Sequence, residues 1–333
     1  MKSRETEVET FLRQIGWAQA GRRPVAGDAS NRRYDRLTDA QGRSAILMDA
    51  PPDHGEDVRT FVRIAEHLRN AGLSAPEIYH KDAANGFLLI EDFGDDLFAD
   101  LMAKDPARQI PLYKDAAEVL LHLRDVPKPD LVVADATWLV EMLAPLFDWY
   151  APTADDALTE QFRPFANDVA EGETVLMLRD FHAENLLLLP NRSGIQRVGL
   201  LDFQDAMLAH PAYDLVSILQ DARRDVSAVI EAEIIDHYLK KTRQDPEAFR
   251  RHYAILGLQR NLRILGIFAR LCLRDGKSHY VDMIPRVWGY VRRNLAHPAL
   301  AQLAATVTTS LPEPNTDFLE QLKRRCPSQH TLS

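Results

Sequence analysis

The chain has 333 residues, of which 46% are hydrophobic and 27% charged, so it is long enough and apolar enough to bury a large core. A formal net charge of −9 leaves no basic excess for releasing counterions from nucleic acid or from an anionic membrane, and we expect neither partner. The two cysteines, Cys272 and Cys326, are far apart and belong to no ligand motif, which argues against a disulfide scaffold and a zinc site.

The N-terminal segment, MKSRETEVETFLRQIGW, is charged and has no long apolar run. It therefore does not resemble a signal peptide, and no apolar run elsewhere approaches transmembrane length. We expect a cytoplasmic protein that exists as a monomer or a weak homodimer.

Residues 1–93 predict a small lobe of mixed helix and strand. Apolar residues recur at helical spacing over Thr6–Ile15 and over Asp57–Ala71, and Gly72 ends the second helix. The predicted strands are Tyr34–Thr38, Ala45–Asp49, Pro76–His80 and Phe87–Glu91.

Residues 94–333 predict a larger, mainly helical lobe, so the expected fold class is α+β with two lobes. The predicted helices are Leu97–Met102, Pro111–Arg124, Trp138–Trp149, Leu158–Val169, Leu215–Ala222, Val226–Thr242, Pro246–Asp275 and Ser278–Ala296. The C-terminal segment is rich in Thr, Ser and Pro, and we expect it to be partly disordered.

Three oxygen-bearing side chains, Asp180, Asn185 and Asp202, stand beside short apolar runs in the middle of the chain. The runs predict buried strands over Val175–Leu178, Leu186–Leu189 and Val198–Leu201. Strand ends hold side chains rigidly, and Mg²⁺ prefers one or two carboxylates together with substrate phosphates. Turn capping explains any one of these residues, but the spacing of all three predicts a phosphoryl-transfer site.

A small polar loop, Gly27-Asp28-Ala29-Ser30-Asn31, precedes the first predicted strand pair. Such a loop can present backbone N–H groups and the Ser30 hydroxyl group to a phosphate. Taken alone, the segment is better explained as a tight hairpin turn. It is not a Walker A loop, since no Gly-Lys-Ser/Thr follows.

The central stretch also contains ordered motifs. The segment Leu178-Arg179-Asp180-Phe181-His182-Ala183-Glu184-Asn185 is followed by Leu201-Asp202-Phe203-Gln204-Asp205 and by His210-Pro211-Ala212-Tyr213-Asp214-Leu215. These segments resemble H-G-D-x-H-x-x-N, I-D-W/F and G-x-P-x-x-D-L of the aminoglycoside phosphotransferase and choline kinase superfamily, whose fold is protein-kinase-like. In the N-lobe, residues 27–34 resemble its phosphate loop and Leu89–Gly94 its hinge.

The resemblance implies an ATP- and Mg²⁺-dependent kinase that transfers phosphate to an alcohol group of a small molecule. It makes Asp180 the catalytic residue and Asn185 and Asp202 the metal ligands, and it gives Asp214 the role of tying the catalytic loop to the following helix. The residues that it assigns to nucleotide binding are Gly27, Ser30, Asn31, Arg32, Glu91, Asp92 and Phe93.

Two positions depart from the superfamily pattern. Leu178 replaces the histidine that braces the catalytic loop, which an apolar residue can also do. Met48 stands where a kinase carries its phosphate-binding lysine, so the usual ion pair with a glutamate such as Glu66 cannot form. We hypothesise that the missing positive charge comes from an arginine, the candidates being Arg32, Arg33, Arg59 and Arg63.

A narrower resemblance is carried by the strings RRY, MDAPP, LRDFHAENLLLLP, GLLDFQDA and HPAYDLVSILQDARRDV. They are similar to the anomeric amino-sugar kinases of cell-wall recycling, which phosphorylate the C1 hydroxyl group of N-acetylmuramate and N-acetylglucosamine. The resemblance therefore implies an amino sugar as the acceptor.

Four side chains are candidates for contacts with the acceptor, and each has an alternative role. His182 suits either the substrate or bracing of the catalytic loop, and Asp205 suits either a sugar hydroxyl group or a turn cap. Arg179 and Arg223 could meet a lactyl carboxylate in a bidentate pair, although Arg223 also suits a solvated helix end.

Other functions remain open from the sequence. One is phosphate transfer to an aminoglycoside or another small alcohol. A second is a metal-dependent hydrolase that uses Asp180, His182, Asp202 and His210. A third is a nucleotide-binding regulator that has lost catalysis, which Met48 suggests.

Overall fold

The computed structural model describes residues 3–25, 31–154 and 157–327, and the chain divides into two compact units. Unit 1 comprises Met1–Gln109 and Ala183–Ala206, and unit 2 comprises Ile110–His182 and Met207–Ser333. Gly27 and Ser30 of the predicted phosphate loop lie outside the described residues. The lobe boundary between residues 93 and 94 stays a prediction.

The described part of the chain forms nine strands and twelve α-helices. The strands are β1 (Gly21–Val25), β2 (Arg33–Thr38), β3 (Ser44–Asp49), β4 (Ile78–Asp82), β5 (Phe87–Glu91), β6 (Val175–Met177), β7 (Leu186–Leu188), β8 (Val198–Leu200) and β9 (Met207–Ala209). The helices are α1 (Arg4–Gln14), α2 (Val58–Asn70), α3 (Phe98–Lys104), α4 (Gln109–Leu123), α5 (Ala136–Glu141), α6 (Ala157–Ala170), α7 (Ala212–Leu219), α8 (Ala228–Lys240), α9 (Pro246–Leu273), α10 (Ile284–Leu295), α11 (Ala301–Ser310) and α12 (Thr316–Arg324). None of these helices has both the length and the apolar character that a membrane span requires.

Unit 1 is built on a five-stranded antiparallel sheet with the strand order β1-β2-β3-β5-β4. All strands predicted for the N-terminal lobe are present, with small shifts in their bounds. Strand β1 was not predicted, because its sequence GRRPV is mostly exposed and shows no alternation of apolar residues. Its edge position also accommodates Pro24, which has no backbone N–H group for a central ladder.

Helix α1 covers part of this sheet with its apolar stripe. Val8, Phe11 and Leu12 recur at helical spacing and are buried. They pack in one cluster with the sheet residues Leu37, Ala45, Leu47, Phe87 and Leu89. This cluster fixes strands β3 and β5, and the predicted hinge continues directly from the end of β5.

Helix α2 is joined to the segment after β8 by aromatic stacking. Asp57 caps the helix by accepting a hydrogen bond from the Arg59 N–H group at 2.9 Å. On the buried face of α2, Phe61 stacks on Phe203 with ring centroids 4.9 Å apart. Because Phe203 follows Asp202 in the chain, this contact anchors the backbone beside a predicted metal ligand.

Unit 2 contains α9, a helix of 28 residues that is buried along most of its length. Asp245 caps its N-terminus by accepting hydrogen bonds from the N–H groups of Glu247 and Ala248. Gly266 allows the backbone at Pro145 to approach the helix, since a Cβ atom at this position would lie 2.1 Å from the Pro145 carbonyl group. A larger residue would therefore push these two segments apart.

The prediction of a single helix over Trp138–Trp149 is wrong. Helix α5 ends at Glu141, and a π-helical turn forms over Leu146–Tyr150. Pro145 lies inside the predicted helix and has no N–H group to donate, which disfavours a continuous α-helix through this point.

The prediction of partial disorder for the C-terminal segment is also wrong as far as residue 327, because α11 and α12 form there. Leu303, Val307 and Leu311 recur every four residues and are all buried. In α12, Phe318 packs edge-to-face on Tyr150 with ring centroids 5.1 Å apart. The helical spacing of these apolar residues was a better signal than the Thr, Ser and Pro content.

Candidate active site

A buried carboxylate holds the loop that carries Asp180 in unit 2. Strand β6 pairs with β9 and leads into this loop. The backbone N–H groups of Leu178 and Arg179 donate to Asp214 Oδ2 at 2.6 Å and to Oδ1 at 2.9 Å, respectively. Asp214 lies in the first turn of α7 and is 3% exposed. The expectation that Asp214 ties the catalytic loop to the following helix is confirmed.

Arg179 has a left-handed backbone conformation, with φ at 73°, immediately before Asp180. The superfamily pattern places glycine here, and a residue with a side chain adopts this conformation at a cost of about 1–2 kcal/mol. The two hydrogen bonds to Asp214 offset this cost. The direction in which the chain enters Asp180 is therefore strongly determined.

Asp214 titrates far above the ordinary range of an aspartate. Burial raises its pKa to about 7, although the N–H groups of Leu178 and Arg179 and the charge of Arg260 act to lower it. The negative charge of Asp180 acts in the same direction as burial.

His182 is buried in unit 2 and meets Arg223. The distance from Arg223 Nη1 to His182 Nε2 is 3.2 Å, and because a guanidinium group can only donate, His182 Nε2 is the acceptor. Burial and the charges of Arg223 and Arg260 lower the pKa of His182 well below its ordinary value. A neutral, buried ring with one nitrogen engaged favours bracing of the loop over contact with substrate.

The two predicted metal ligands, Asn185 and Asp202, lie together in unit 1. Asn185 Nδ2 is 3.5 Å from Asp202 Oδ2, and the Leu201 N–H group donates to the Asn185 carbonyl oxygen at 3.0 Å. Gln204 Nε2 donates to Asp202 Oδ1 at 2.7 Å. Asp202 has a left-handed backbone with φ at 56°, which an aspartate tolerates better than most residues do. The sequence had not singled out Gln204, which orients the carboxylate.

The chemistry of Asn185 and Asp202 fits a hard divalent cation. Both side chains offer oxygen atoms, which Mg²⁺ prefers to nitrogen and sulfur ligands. Over residues 3–25, 31–154 and 157–327, no group of three or more His, Cys, Asp and Glu side chains is arranged to hold a metal ion. One carboxylate and one amide would therefore hold a metal only with further oxygen atoms from a bound phosphate.

Of the four candidate arginines, Arg32 in unit 1 lies near a predicted metal ligand, Asp202. Its Nε donates to Glu56 Oε2 at 2.7 Å, and its Nη1 is 3.9 Å from Asp202 Oδ1. The side chain of Arg32 is 15% exposed, whereas those of Arg33, Arg59 and Arg63 are on the exposed surface. Of the four candidate arginines, the geometry favours Arg32. No motif pointed to Glu56.

The residue at the position of the missing lysine, Met48, is apolar and buried in the sheet. Met48 is 1% exposed and pairs with Tyr34 in the ladder between β2 and β3. Glu66 on α2 is exposed and takes part in none of the ion pairs found in the described ranges. Met48 and Glu66 therefore do not form the ion pair that a lysine and a glutamate form between strand and helix in a kinase.

The predicted hinge uses its side chains within unit 1. Glu91 accepts from Arg192, and Asp92 Oδ1 accepts from Arg36 Nη2 at 2.9 Å. The ring of Phe93 lies 5.3 Å from the Arg192 guanidinium group, and a Cβ atom at Gly199 would come within 2.9 Å of that ring. The backbone N–H and C=O groups of Phe93 hydrogen-bond to no other described residue. The backbone of Glu91, by contrast, donates to the Glu77 carbonyl oxygen at 2.8 Å, so at the predicted hinge it is the backbone of Phe93 that is open to a ligand.

Two further predicted residues lie at the surface. Asn31 is exposed, and its Nδ2 donates to the His54 carbonyl oxygen at 3.4 Å. Asp205 is exposed in the turn that follows Phe203. Their positions do not show which ligand either residue would bind. The predicted roles of the catalytic, metal-binding, nucleotide-binding and acceptor-binding residues all stay predictions.

His210, a ligand in the hydrolase alternative, has both ring nitrogens engaged by protein. Its Nδ1 accepts from the Ala212 N–H group at 3.1 Å, and its Nε2 is 3.0 Å from His252 Nδ1. His252 Nε2 in turn is 3.3 Å from Asp168 Oδ2. This buried chain leaves no ring nitrogen of His210 for a metal, which weakens the hydrolase alternative.

Replacing His210 with asparagine should reduce the dependence of stability on acid pH. Burial, together with the charges of His252 and Arg124, lowers the pKa of His210 from 6.5 to about 3. The unfolded chain therefore binds a proton more readily than the folded chain below pH 6.5, and stability is lost as the pH falls through this window. An asparagine keeps an acceptor for the Ala212 N–H group but does not titrate.

The measurement is urea unfolding of both proteins at pH 7.5 and pH 5.0. We expect the parent to lose roughly 2 kcal/mol more than the variant between these values. The difference between the proteins is the right quantity, because Asp214 titrates in the same window with the opposite sign. Parallel losses in the two proteins would contradict the assignment.

The sequence is similar to those of known phosphotransferases. A model of the phosphotransferase enzyme family matches residues 21–252. The N-acetylmuramate/N-acetylglucosamine kinase of Caulobacter vibrioides is 39% identical in an alignment that spans 350 residues including gaps. The match covers 91% of this chain and 95% of that protein. The kinase of the same name from Pseudomonas aeruginosa is 32% identical, and the match covers 92% of this chain and 93% of that protein.

The fold is similar to that of a crystal structure of a choline/ethanolamine kinase family protein from Mesorhizobium loti. The TM-score is 0.62 at 14% sequence identity, with 92% of this chain and 99% of that chain covered. At this identity the likeness concerns the fold alone. It confirms the predicted α+β, protein-kinase-like fold class.

Proposed function

The chain belongs to the phosphotransferase enzyme family, and on this premise we propose that it is a kinase that phosphorylates N-acetylmuramate and N-acetylglucosamine at the anomeric hydroxyl group. Membership of the family implies ATP as the phosphoryl donor and a divalent metal ion in general. The observation that carries the proposal is the anchoring of the Asp180 loop on Asp214, at distances of 2.6 and 2.9 Å. The choice of acceptor is supported by the names of the relatives.

Asp180 is proposed to orient the acceptor hydroxyl group and to take its proton. The transition state of phosphoryl transfer is loose, so correct placement contributes more than the basicity of the carboxylate. The anchoring by Asp214 and the constrained backbone of Arg179 supply that placement. His182 and Arg223 brace the same loop from its other end.

Asn185 and Asp202 are proposed to hold Mg²⁺. The ion, when bound, would neutralise charge on the transferring phosphate. Gln204 orients the Asp202 carboxylate, and the stacking of Phe203 on Phe61 keeps the backbone in place. Oxygen ligands without imidazole or thiolate favour Mg²⁺ over the softer transition metals.

The donor is proposed to contact the N-terminal segments of unit 1. The adenine would bind the backbone at Glu91, Asp92 and Phe93, and the phosphates would meet Gly27, Ser30, Asn31 and Arg32. A cytoplasmic location and a monomer or weak homodimer also stay predictions.

Replacing Arg32 with alanine should raise the KM for ATP by about tenfold or more, because a charged group that pairs with phosphate contributes roughly 1.5–3 kcal/mol. Arg32 is the candidate within 4 Å of Asp202, so its guanidinium group is the one that can replace the lysine missing at Met48. The matched control is Arg33→Ala, the exposed neighbour, for which we expect less than a twofold change. Equal effects of the two substitutions would remove Arg32 from the donor site.

The central experiment incubates the purified protein with ATP, Mg²⁺ and a panel of amino sugars and aminoglycosides, and locates the new phosphate by NMR. Phosphate on the anomeric oxygen of N-acetylmuramate or N-acetylglucosamine supports the proposal. Phosphate on an aminoglycoside, metal-dependent phosphate release without an acceptor, or ATP binding without transfer would each replace it with one of the alternative functions.

A further inference from the structure

Two arginines of α9, Arg260 and Arg263, form no ion pair with a carboxylate among the described residues. Arg260 is 6% exposed, and its Nη2 donates to Ser217 Oγ at 2.7 Å. Its guanidinium carbon lies 5.8 Å from the centre of the Tyr213 ring, and its buried Nε has no hydrogen-bond acceptor among the described residues. Partly buried Arg263 forms no hydrogen bond or ion pair with any residue in the described ranges. The two side chains are three positions apart and lie on one face of the helix.

Other positive charges lie near Arg263. Burial and the charges of Arg179 and Arg260 lower the pKa of Arg263, while Tyr213 and Asp180 act to raise it. The neighbouring carboxyl groups are Asp180 and Asp214, and burial raises the pKa of Asp214 to about 7. Burial thus disfavours the charged form of Asp214, the carboxyl group on which the charge of Arg260 acts.

An uncompensated buried cation is costly, and a bound anion would remove that cost. Guanidinium groups bind carboxylates in a bidentate manner, and two of them on one helix face can share a single carboxylate. The Tyr213 hydroxyl group is also buried without a hydrogen-bond partner among the described residues, so it supplies a further donor. These groups all belong to unit 2, as does Asp180.

We propose that Arg260 and Arg263 form a carboxylate site that recognises the lactyl group of N-acetylmuramate while Asp180 acts on the hydroxyl group of the same sugar. The inference rests on the proposed function. N-acetylglucosamine has no carboxylate, so the site distinguishes the two acceptors. The sequence had suggested Arg179 and Arg223 for this role. Arg223 is engaged with His182, and neither α9 arginine belongs to a motif.

The experiment compares kcat/KM for the two sugars in the parent protein and in Arg263→Gln. We expect the ratio of N-acetylmuramate to N-acetylglucosamine to fall at least about tenfold, as for loss of a charged hydrogen bond. Arg263→Lys keeps the positive charge but not the paired N–H donors of the guanidinium group, so its ratio should lie between those of Arg263→Gln and the parent protein. Arg250→Gln is the matched control on α9, because Arg250 is paired with Asp236 at the exposed surface, and it should leave the ratio unchanged.

A second measurement does not depend on the folding of a variant. The parent protein is assayed with N-acetylmuramate and with its methyl ester, which removes the negative charge. A fall of at least about tenfold in kcat/KM for the ester supports recognition of the carboxylate.

Three outcomes would overturn the inference. Equal losses for both sugars in Arg263→Gln would mean that Arg263 has a structural role. A raised KM for ATP with an unchanged sugar ratio would mean that the bound anion is the donor's terminal phosphate. If the parent phosphorylates neither sugar, the proposed function itself fails, and this result is distinct from an unchanged ratio in an active enzyme.

Discussion

Asp180→Asn is expected to lower kcat by about a thousandfold, while the affinity for ATP changes by less than about threefold. Asparagine has nearly the same shape as aspartate, but it can neither accept the proton of the acceptor hydroxyl group nor supply a negative charge that orients it. The loop should keep its conformation, because its anchors are the backbone N–H groups of Leu178 and Arg179 and not the Asp180 side chain. The loss should therefore appear in turnover rather than in binding.

The measurement combines steady-state kinetics on the amino sugar with calorimetric titration of ATP. Asp130→Asn is the matched control, because Asp130 is also an aspartate of unit 2 and is exposed. It should keep the parent kcat. A residual activity above a tenth of the parent value in Asp180→Asn would show that another group handles the proton.

Asp214→Ala is expected to lower kcat by about a hundredfold and to destabilise the protein by roughly 2–5 kcal/mol. The substitution leaves the N–H groups of Leu178 and Arg179 buried without their acceptors. Each lost partner costs about 1–3 kcal/mol, and the left-handed backbone at Arg179 then has nothing to hold it. The loop should relax, and Asp180 should lose its orientation.

Hydrogen–deuterium exchange of residues 175–182 separates this role from a general loss of stability. We expect these amides to exchange much faster in Asp214→Ala under conditions where the rest of unit 2 stays protected. Asp214→Asn should be intermediate in kcat, because its amide oxygen can accept one of the two hydrogen bonds. Unchanged exchange at Leu178 and Arg179 would contradict the anchoring role.

The sequence by itself predicted the fold class and most of the local structure. Short apolar runs identified β6, β7 and β8, and apolar spacing identified α1, α2 and α9. These signals are local, because they arise from the period of side chains along a single segment. They failed where a segment has no apolar pattern, as at the exposed edge strand β1, and where a proline interrupts a helical pattern, as at Pro145.

Some residues of the candidate site could also be identified from local sequence signals alone. The spacing of Asp180, Asn185 and Asp202 was visible because a loop and a hairpin supply all three within a short stretch of chain. The anchoring role of Asp214 also followed from its motif.

Only the tertiary structure revealed the partners of the charged groups. Arg32 and Glu56 are 24 residues apart, and Arg260 lies 43 residues from Ser217. Neither pairing leaves a trace in local periodicity or in motif spacing. Whether an arginine is paired, solvated or buried without a counter-charge depends on which distant segments pack beside it, and that is decided by the three-dimensional fold.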